Sequence, residues 1–239
     1  MSLLVMPIPW DSDSLPGELT TAEAPTGSLL VFAHGAGAGH QSPFMRRFAQ
    51  LLAARGLDVL TFDFPYMAAG RKLPDRPPVL EGAFRAAIDA GVARLEGRAR
   101  TVIVAGKSMG GRMATHLAAQ PASTTSTSYP RAEWRSPAPL LAAVAFGYPL
   151  RPPGPRGGDR VSHLTRLTVP TLVVQGTRDT FGGPDEVRQA AAAAPRVTVL
   201  PVETGDHSLR VTRASGHRQE AVEAAIADAV VAFVGAARS

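Results

Sequence analysis

Short apolar runs alternate with amphipathic stretches from residue 28 onwards. The apolar runs are five to seven residues long and nearly free of charge, which is typical of strands buried on both faces of a sheet. They predict strands over residues 29–33, 57–62, 101–105, 140–146, 170–175 and 197–202. The stretches between them have helical spacing and predict helices over residues 42–54, 80–95, 109–119, 185–194 and 214–234. This alternation predicts an α/β protein, a three-layer sandwich whose mostly parallel central sheet has helices on both faces.

The remaining segments add detail to this pattern. Residues 18–22 predict an antiparallel edge strand ahead of the parallel sheet. Residues 121–139 are rich in Ser, Thr and Pro and predict an exposed, mobile insertion, with no cap domain. Residues 148–158 hold four prolines and three glycines and predict an irregular loop at a strand end, where parallel sheets bind ligands. No linker or repeat is visible, so residues 1–239 are predicted to form a single domain.

The composition argues against several classes of protein. With 239 residues and 45% hydrophobic positions, the chain is long and apolar enough to bury a core. It has no apolar run long enough for a membrane span, and Met1 to Trp10 lacks the basic start of a secretory signal. The absence of cysteine excludes disulfides and thiolate sites, and a cytoplasmic location is expected. Lys and Arg exceed Asp and Glu by 25 to 20, but the arginines are scattered, so nucleic-acid binding is not predicted.

The sharpest chemical signal is the stretch from Gly106 to Gly111, which reads Gly-Lys-Ser-Met-Gly-Gly. It matches the G-x-S-x-G pattern of a nucleophile elbow and lies between a predicted strand and a predicted helix. Such a turn holds its serine in a strained conformation, and the small neighbours let the backbone pack closely. The helix start beneath it offers free N–H groups and a positive dipole end to an oxyanion. Ser108 is therefore the predicted nucleophile.

An activated serine needs a base, and the base needs an acid that orients it. His207 lies in the loop after the last predicted strand, and Asp179 lies in the loop after the strand before it. Both loops leave the carboxyl ends of strands, as does the turn at Ser108, so the three side chains are predicted to converge at one sheet edge. Asp206 and Asp63 are rival acids. We favour Asp179, because a carboxylate rarely orients onto the imidazole of its own chain neighbour.

Two backbone N–H groups are candidates for an oxyanion hole. One belongs to Met109, and the other to Ala36 in the glycine-rich loop after the first parallel strand, with Gly37 as the alternative. The glycines of this loop match no phosphate-binding motif. His34 and His40 flank the loop with no carboxylate nearby in the sequence, so no metal site is predicted, and no cofactor is implied.

Six stretches of the chain together resemble the α/β-hydrolases. They occur in order at residues 34–37 (His-Gly-Ala-Gly), 62–66 (Phe-Asp-Phe-Pro-Tyr), 106–112 (Gly-Lys-Ser-Met-Gly-Gly-Arg), 147–150 (Gly-Tyr-Pro-Leu), 175–179 (Gln-Gly-Thr-Arg-Asp) and 205–208 (Gly-Asp-His-Ser). Within that superfamily the chain resembles small, cap-less members related to dienelactone hydrolase. It is more similar still to a group of predicted hydrolases that includes a mammalian testis-expressed protein and a subunit of a histone-acetyltransferase complex. The resemblance implies an acyl-transfer hydrolase with Ser108 as nucleophile, Asp179 as acid and His207 as base.

These observations favour a serine hydrolase that cleaves a small ester, thioester or lactone. Its expected partner is a small-molecule acyl substrate, and Tyr66, Lys107, Tyr148 and Phe181 are candidate substrate contacts because they lie at the same predicted sheet edge. One alternative is a non-catalytic binding or scaffold protein on the same fold, as the chromatin-associated relative suggests. The other is a different reaction from the same residues, such as a perhydrolase or lyase reaction. The sequence does not define the oligomeric state.

Overall fold

The computed structural model describes residues 1–120, 123–125, 133–151 and 160–238. Within these ranges the strands are β1 (Ser2–Val5), β2 (Ile8–Trp10), β3 (Asp13–Leu15), β4 (Gly17–Thr21), β5 (Ser28–Ala33), β6 (Asp58–Phe62), β7 (Thr101–Lys107), β8 (Ser123–Thr125), β9 (Glu133–Arg135), β10 (Leu140–Phe146), β11 (Thr171–Gly176) and β12 (Val197–Val202). The α-helices are α1 (Pro43–Ala53), α2 (Pro65–Ala68), α3 (Pro77–Arg94), α4 (Met109–Ala118), α5 (Pro184–Ala190) and α6 (Gln219–Ala236). In the described ranges no helix is both long and apolar enough to cross a membrane.

Eight strands form one sheet, in the order β1-β4-β6-β5-β7-β10-β11-β12. The six strands from β6 to β12 in this order pair in parallel, whereas β4 pairs antiparallel with both β1 and β6. The mostly parallel sheet is thus confirmed. The predicted antiparallel strand near residue 18 is present, but its edge position is wrong, because β1 pairs along its outer side. β1 reads Ser-Leu-Leu-Val and is mostly exposed; with four residues it is shorter than the apolar runs that identified the other strands.

Helices cover both faces of this sheet and complete the predicted three layers. α3 and α4 pack on one face, and α1 and α6 pack on the other. Along β7, Val102 and Val104 belong to the core under α3 and α4, while Ile103 and Ala105 belong to the core under α1 and α6. Because both faces of the sheet are buried, its central strands do not alternate between apolar and polar residues. They are continuous apolar runs instead.

The ends of three strands determine where the chemistry can occur. β7 ends at Lys107, β11 ends at Gly176 and β12 ends at Val202. These strands run in the same direction, so the loops that follow them leave from the same edge of the sheet. The turn at Ser108 and the loops with Asp179 and His207 therefore come together.

The segment predicted as an insertion contains a small hairpin formed by β8 and β9. Trp134 packs towards α3, where its Nε1 donates to Asp89 Oδ1 at 3.1 Å and the Arg85 guanidinium lies 5.5 Å from the centroid of its ring. At Trp134 the segment therefore contacts α3; its predicted mobility stays a prediction. The rest of that prediction, residues 121–122 and 126–132, lies outside the described residues, as do residues 152–158 of the predicted irregular loop.

Candidate active site

Ser108 lies on a sharp turn between β7 and α4, with φ 51° and ψ −114°. Two glycines make this turn geometrically possible. A Cβ on Gly106 would lie 2.1 Å from the carbonyl carbon of Gly110, and one on Gly110 would lie 2.3 Å from the oxygen of Ala33. Neither space admits a side chain, so the start of α4 packs directly on β5 and β7. This contact fixes the main chain of Ser108 in its left-handed conformation.

A chain of two hydrogen bonds joins the three residues that the sequence selected. The side chains of His207 and Ser108 are hydrogen-bonded, with Nε2 2.9 Å from Oγ, and His207 Nδ1 lies 2.8 Å from Asp179 Oδ2. The Asp179 side chain is fully buried, whereas that of His207 is 23% exposed. Because an ionised carboxylate only accepts, the arrangement requires Nδ1 to carry its hydrogen and leaves Nε2 free to accept the Ser108 proton.

Sequence analysis missed Gln175, which holds Asp179 from behind. Gln175 Nε2 donates to Asp179 Oδ2 at 2.9 Å and to the Gly182 carbonyl at 2.6 Å. Its Oε1 accepts from the Tyr148 N–H at 2.7 Å, and the N–H of Phe181 donates to the second Asp179 oxygen at 2.8 Å. The available signal was a polar residue inside the apolar run of β11, which must find partners once it is buried.

The rival carboxylates make different contacts. Asp206 Oδ1 accepts from the N–H groups of Ser208 and Arg210, at 2.7 and 2.9 Å, and so shapes the turn after His207. Asp63 accepts from the His40 N–H at 2.7 Å, and His40 Nδ1 lies 3.0 Å from the same Asp63 oxygen.

Burial works to raise the pKa of Asp63, but the hydrogen bonds from His40 outweigh it and hold this pKa below its usual value. No carboxylate lies near His40 along the chain, and the fold brings Asp63 to it from 23 positions away. In the part of the chain that the structure describes, no group of three or more His, Asp or Glu side chains is placed to hold a metal ion.

The loop after β5, which carries the predicted oxyanion donor Ala36, begins beside Ser108. His34 is fully buried; its Nδ1 lies 2.8 Å from the Gly35 carbonyl, and its Nε2 accepts the Phe64 N–H at 3.0 Å. Burial lowers the pKa of His34, consistent with a neutral ring that both donates and accepts. A Cβ on Gly35 would lie 3.4 Å from that of Ser108, so the loop begins against the serine.

The next residues of this loop form an exposed turn. Ala38 N–H donates to Gly35 O at 3.3 Å, and Gly37 adopts φ 75°, which leaves Ala36 at the corner. Met109 is the first residue of α4, and the N–H of a first helical residue has no acceptor within its own helix. Both predicted donors therefore lie on segments that meet Ser108.

The candidate substrate contacts differ in their exposure. Tyr66 and Tyr148 are 0% and 1% exposed, and the Tyr148 hydroxyl donates to the Arg160 carbonyl. This burial argues against the predicted contact of both tyrosines with substrate. Phe181 is half-buried, and its ring centroid lies 4.5 Å from that of His207, so it remains a candidate.

A sequence model described as an alpha/beta hydrolase domain matches residues 26–235 of the chain. The chain belongs to this family of α/β-hydrolases. None of the functionally curated proteins matches it. The fold prediction is thereby confirmed, and the solved structures that follow confirm the resemblance to dienelactone hydrolases.

Solved structures of other α/β-hydrolases share the fold. Dienelactone hydrolase from Anabaena variabilis is 20% identical, with 95% of each chain covered and a TM-score of 0.69. An esterase from Pyrococcus furiosus is 16% identical, with 100% of this chain and 91% of that chain covered and a TM-score of 0.71. Esterase 2 from Thermogutta terrifontis, in a structure phosphorylated by paraoxon, is 18% identical over 98% and 94% of the chains, with a TM-score of 0.70.

In this α/β-hydrolase a cleft of about 720 Å³ opens between the first turns of α1 and α6 and the loop that carries His207. Its lining includes the ring of Phe44 together with Lys107 and Ser208, the chain neighbours of Ser108 and His207. Lys107 is 8% exposed, and its Nζ donates to the main-chain carbonyl of His207 at 2.5 Å. Ser108 and His207 themselves are not among its lining residues, so the cleft adjoins the Ser108–His207 pair through their chain neighbours.

Proposed function

We propose that this α/β-hydrolase is a serine hydrolase that cleaves a small ester, thioester or lactone through an acyl-enzyme. The observation that carries the proposal is the hydrogen-bond chain from Ser108 through His207 to buried Asp179, at 2.9 and 2.8 Å. Its parts match the roles that nucleophilic acyl transfer needs: a hydroxyl, a base within hydrogen-bond reach and an acid that orients the base.

In the first half-reaction, Ser108 Oγ bonds to the substrate carbonyl carbon while its proton moves to His207 Nε2. The carbonyl π pair moves onto oxygen, and the N–H groups of Met109 and Ala36 receive the resulting oxyanion. When the pair returns, the bond to the leaving oxygen or sulfur breaks, and the leaving group takes the proton from Nε2. In a lactone the leaving hydroxyl stays attached to the acyl group.

In the second half-reaction, a water molecule gives its proton to His207 Nε2 and attacks the ester carbon on Ser108. Collapse of the second tetrahedral species breaks the bond to Oγ, which regains its proton from Nε2. Asp179 remains ionised throughout; it holds Nδ1–H and stabilises the imidazolium each time it forms. The protein returns to its starting state, and every step uses only the named residues, the substrate and water.

The esterases and the dienelactone hydrolase among the similar structures support ester-type substrates, and the modification of the Thermogutta esterase suggests the test. The chain is incubated with paraoxon, and phosphorylation is measured by intact mass and by release of 4-nitrophenol. Wild type is expected to gain one diethylphosphoryl group at Ser108, while S108A and H207Q gain none. S14A, which alters an exposed serine far along the chain from the site, is the matched control and should react like wild type.

Hydrolysis of 4-nitrophenyl acetate and butyrate and of a short acyl thioester then measures turnover. Activity that disappears in S108A supports the proposal. A folded wild-type protein that neither reacts with paraoxon nor hydrolyses these compounds would overturn it, and a binding role on the hydrolase fold would take its place.

A further inference from the structure

Lys107 and His207 are joined across 100 positions of the chain. Lys107 Nζ donates to the main-chain oxygen of His207 at 2.5 Å, while the ring of the same histidine contacts Ser108, the residue after Lys107. The two contacts therefore close a ring. It runs from the Lys107 side chain to the His207 carbonyl, through the His207 side chain to Ser108, and back along the main chain to Lys107. A ring of this kind restricts both ends of the Ser108–His207 hydrogen bond.

Other contacts hold the loop of His207 within itself, towards the acid and towards α6, where Gln219 Nε2 donates to the Leu209 carbonyl at 3.2 Å. Within the loop, Asp206 binds the N–H groups of Ser208 and Arg210. On the acid side, the Arg178 N–H donates to the Gly205 carbonyl at 2.9 Å. Towards β7, Lys107 Nζ binds the main chain of the loop, next to the side-chain contact of His207 with Ser108.

The Lys107 ammonium is buried, and within the described parts of the chain its one hydrogen bond is the bond to the His207 carbonyl. Lys107 Nζ lies 5.7 Å from the centroid of the Phe44 ring. A Cβ added to Gly147 would lie 3.0 Å from Lys107 Nζ. Among the described residues Lys107 forms no salt bridge, although the charges of Asp179 and Asp206 act on it from further away. A buried ammonium without an adjacent carboxylate is costly, and an apolar residue would fill the space at lower cost.

We propose that Lys107 is a positioning residue, which holds the main chain of His207 so that Nε2 meets Ser108 Oγ. This inference rests on the proposed function, in which His207 is the base. It replaces the prediction that Lys107 contacts substrate, because Nζ is directed to the His207 carbonyl. Lys107 acts through His207 and touches no reacting atom.

The test compares K107M with K72M. The chain has two lysines, and Lys72 is exposed, so K72M removes the same chemical group away from the site. The second-order rate constant for phosphorylation by paraoxon should fall about 10- to 100-fold in K107M, as expected for a misplaced base, and stay at the wild-type value in K72M. With 4-nitrophenyl acetate the loss should be in kcat, with KM nearly unchanged.

Thermal unfolding separates positioning from mere support of the fold. A residue needed only for packing would lose stability and activity together, whereas K107M should unfold at the wild-type temperature or above it and still react slowly. Because the chain has no cysteine, K107C provides a unique thiol. Its alkylation by 2-bromoethylamine rebuilds an ammonium of nearly the same length, and the modified protein, identified by mass, should recover most of the rate.

A readout without chemistry keeps this inference separate from the proposed function. The proton on His207 Nδ1, held by Asp179, gives a low-field NMR resonance that is identified by its loss in H207Q. This resonance should shift or broaden in K107M and remain in K72M, whether or not wild type reacts with paraoxon. Folded K107M that keeps both the resonance and the wild-type rate would overturn the positioning role. An unreactive wild type with a K107M-sensitive resonance would overturn only the proposed function.

Discussion

Gln175 Nε2 donates to Asp179 Oδ2 at 2.9 Å, and the same oxygen accepts from His207 Nδ1. The amide and the imidazole thus fix one carboxylate oxygen from two sides, and the Phe181 N–H binds the other oxygen. The acid is held by buried groups that are themselves paired, so its orientation does not depend on solvent.

We expect Q175L to damage both the fold and the site. It leaves the Tyr148 N–H and the Gly182 carbonyl without their buried partner, at a cost on the order of 1–3 kcal/mol for each group. The reaction with paraoxon should slow by about tenfold, because Asp179 loses one of its restraints. Q189L, at an exposed position of α5, is the control for urea unfolding and for the rate. Equal stability of the two variants would contradict this role of Gln175.

The choice between the acids is tested by D179N and D206N. The amide in D179N no longer stabilises the imidazolium and favours the wrong tautomer of His207, so kcat should fall on the order of 10³–10⁴-fold. D206N retains an oxygen that can accept from Ser208 and Arg210 and should keep kcat within about threefold, since side-chain changes away from the chemistry have small effects. The measurement is hydrolysis of 4-nitrophenyl acetate; the reverse order of the two effects would assign the acid to Asp206.

The close packing of α4 against β5 predicts a large effect of G110A. The added Cβ would meet the carbonyl oxygens of Ala33 and His34 at 2.3 and 2.6 Å, and main-chain atoms there cannot move aside without disturbing the sheet. We expect a loss of about 3 kcal/mol or more in the free energy of unfolding. In G183A, the nearest atom is 3.8 Å away and φ is −76°, so this control at the N-cap of α5 should stay within about 1 kcal/mol of wild type in the same urea titration.

Burial lowers the pKa of Lys107 from 10.5 to about 8, against the opposing charges of Asp179 and Asp206. Between these two values the unfolded chain binds one more proton than the folded chain, so the stability of the folded state rises with pH. Between pH 8 and pH 10.5, the free energy of unfolding of wild type should therefore rise by on the order of 3 kcal/mol more than that of K107M.

Urea unfolding at several pH values measures this difference, and groups that titrate in both proteins cancel. K72M should show the same rise as wild type, because its Lys107 is intact. A pH-independent difference between wild type and K107M would mean that the ammonium is not destabilised by burial.

The order and type of the main elements could be predicted because their signals are local. β10 and β12 have the predicted bounds, and α1 begins at Pro43 after Ser42, as that dipeptide indicates. α6 begins at Gln219 and not near residue 214, because residues 213–215 form a short 3-10 turn closed by Gly216 in the left-handed region. β1 and the hairpin of β8 and β9 were not predicted, because strands of three or four residues are shorter than the apolar runs that identify buried strands.

The sequence by itself identified the candidate residues of the site: the serine on its glycine turn and the histidine and aspartate at later strand ends. These depend on residue type, spacing and strand order, which are properties of the chain. Only the tertiary structure decided which carboxylate meets His207, that Gln175 stands behind it, and that Lys107 is directed to the His207 carbonyl. Such contacts join residues far apart in the chain, and they depend on side-chain directions that exist only after both faces of the sheet are packed.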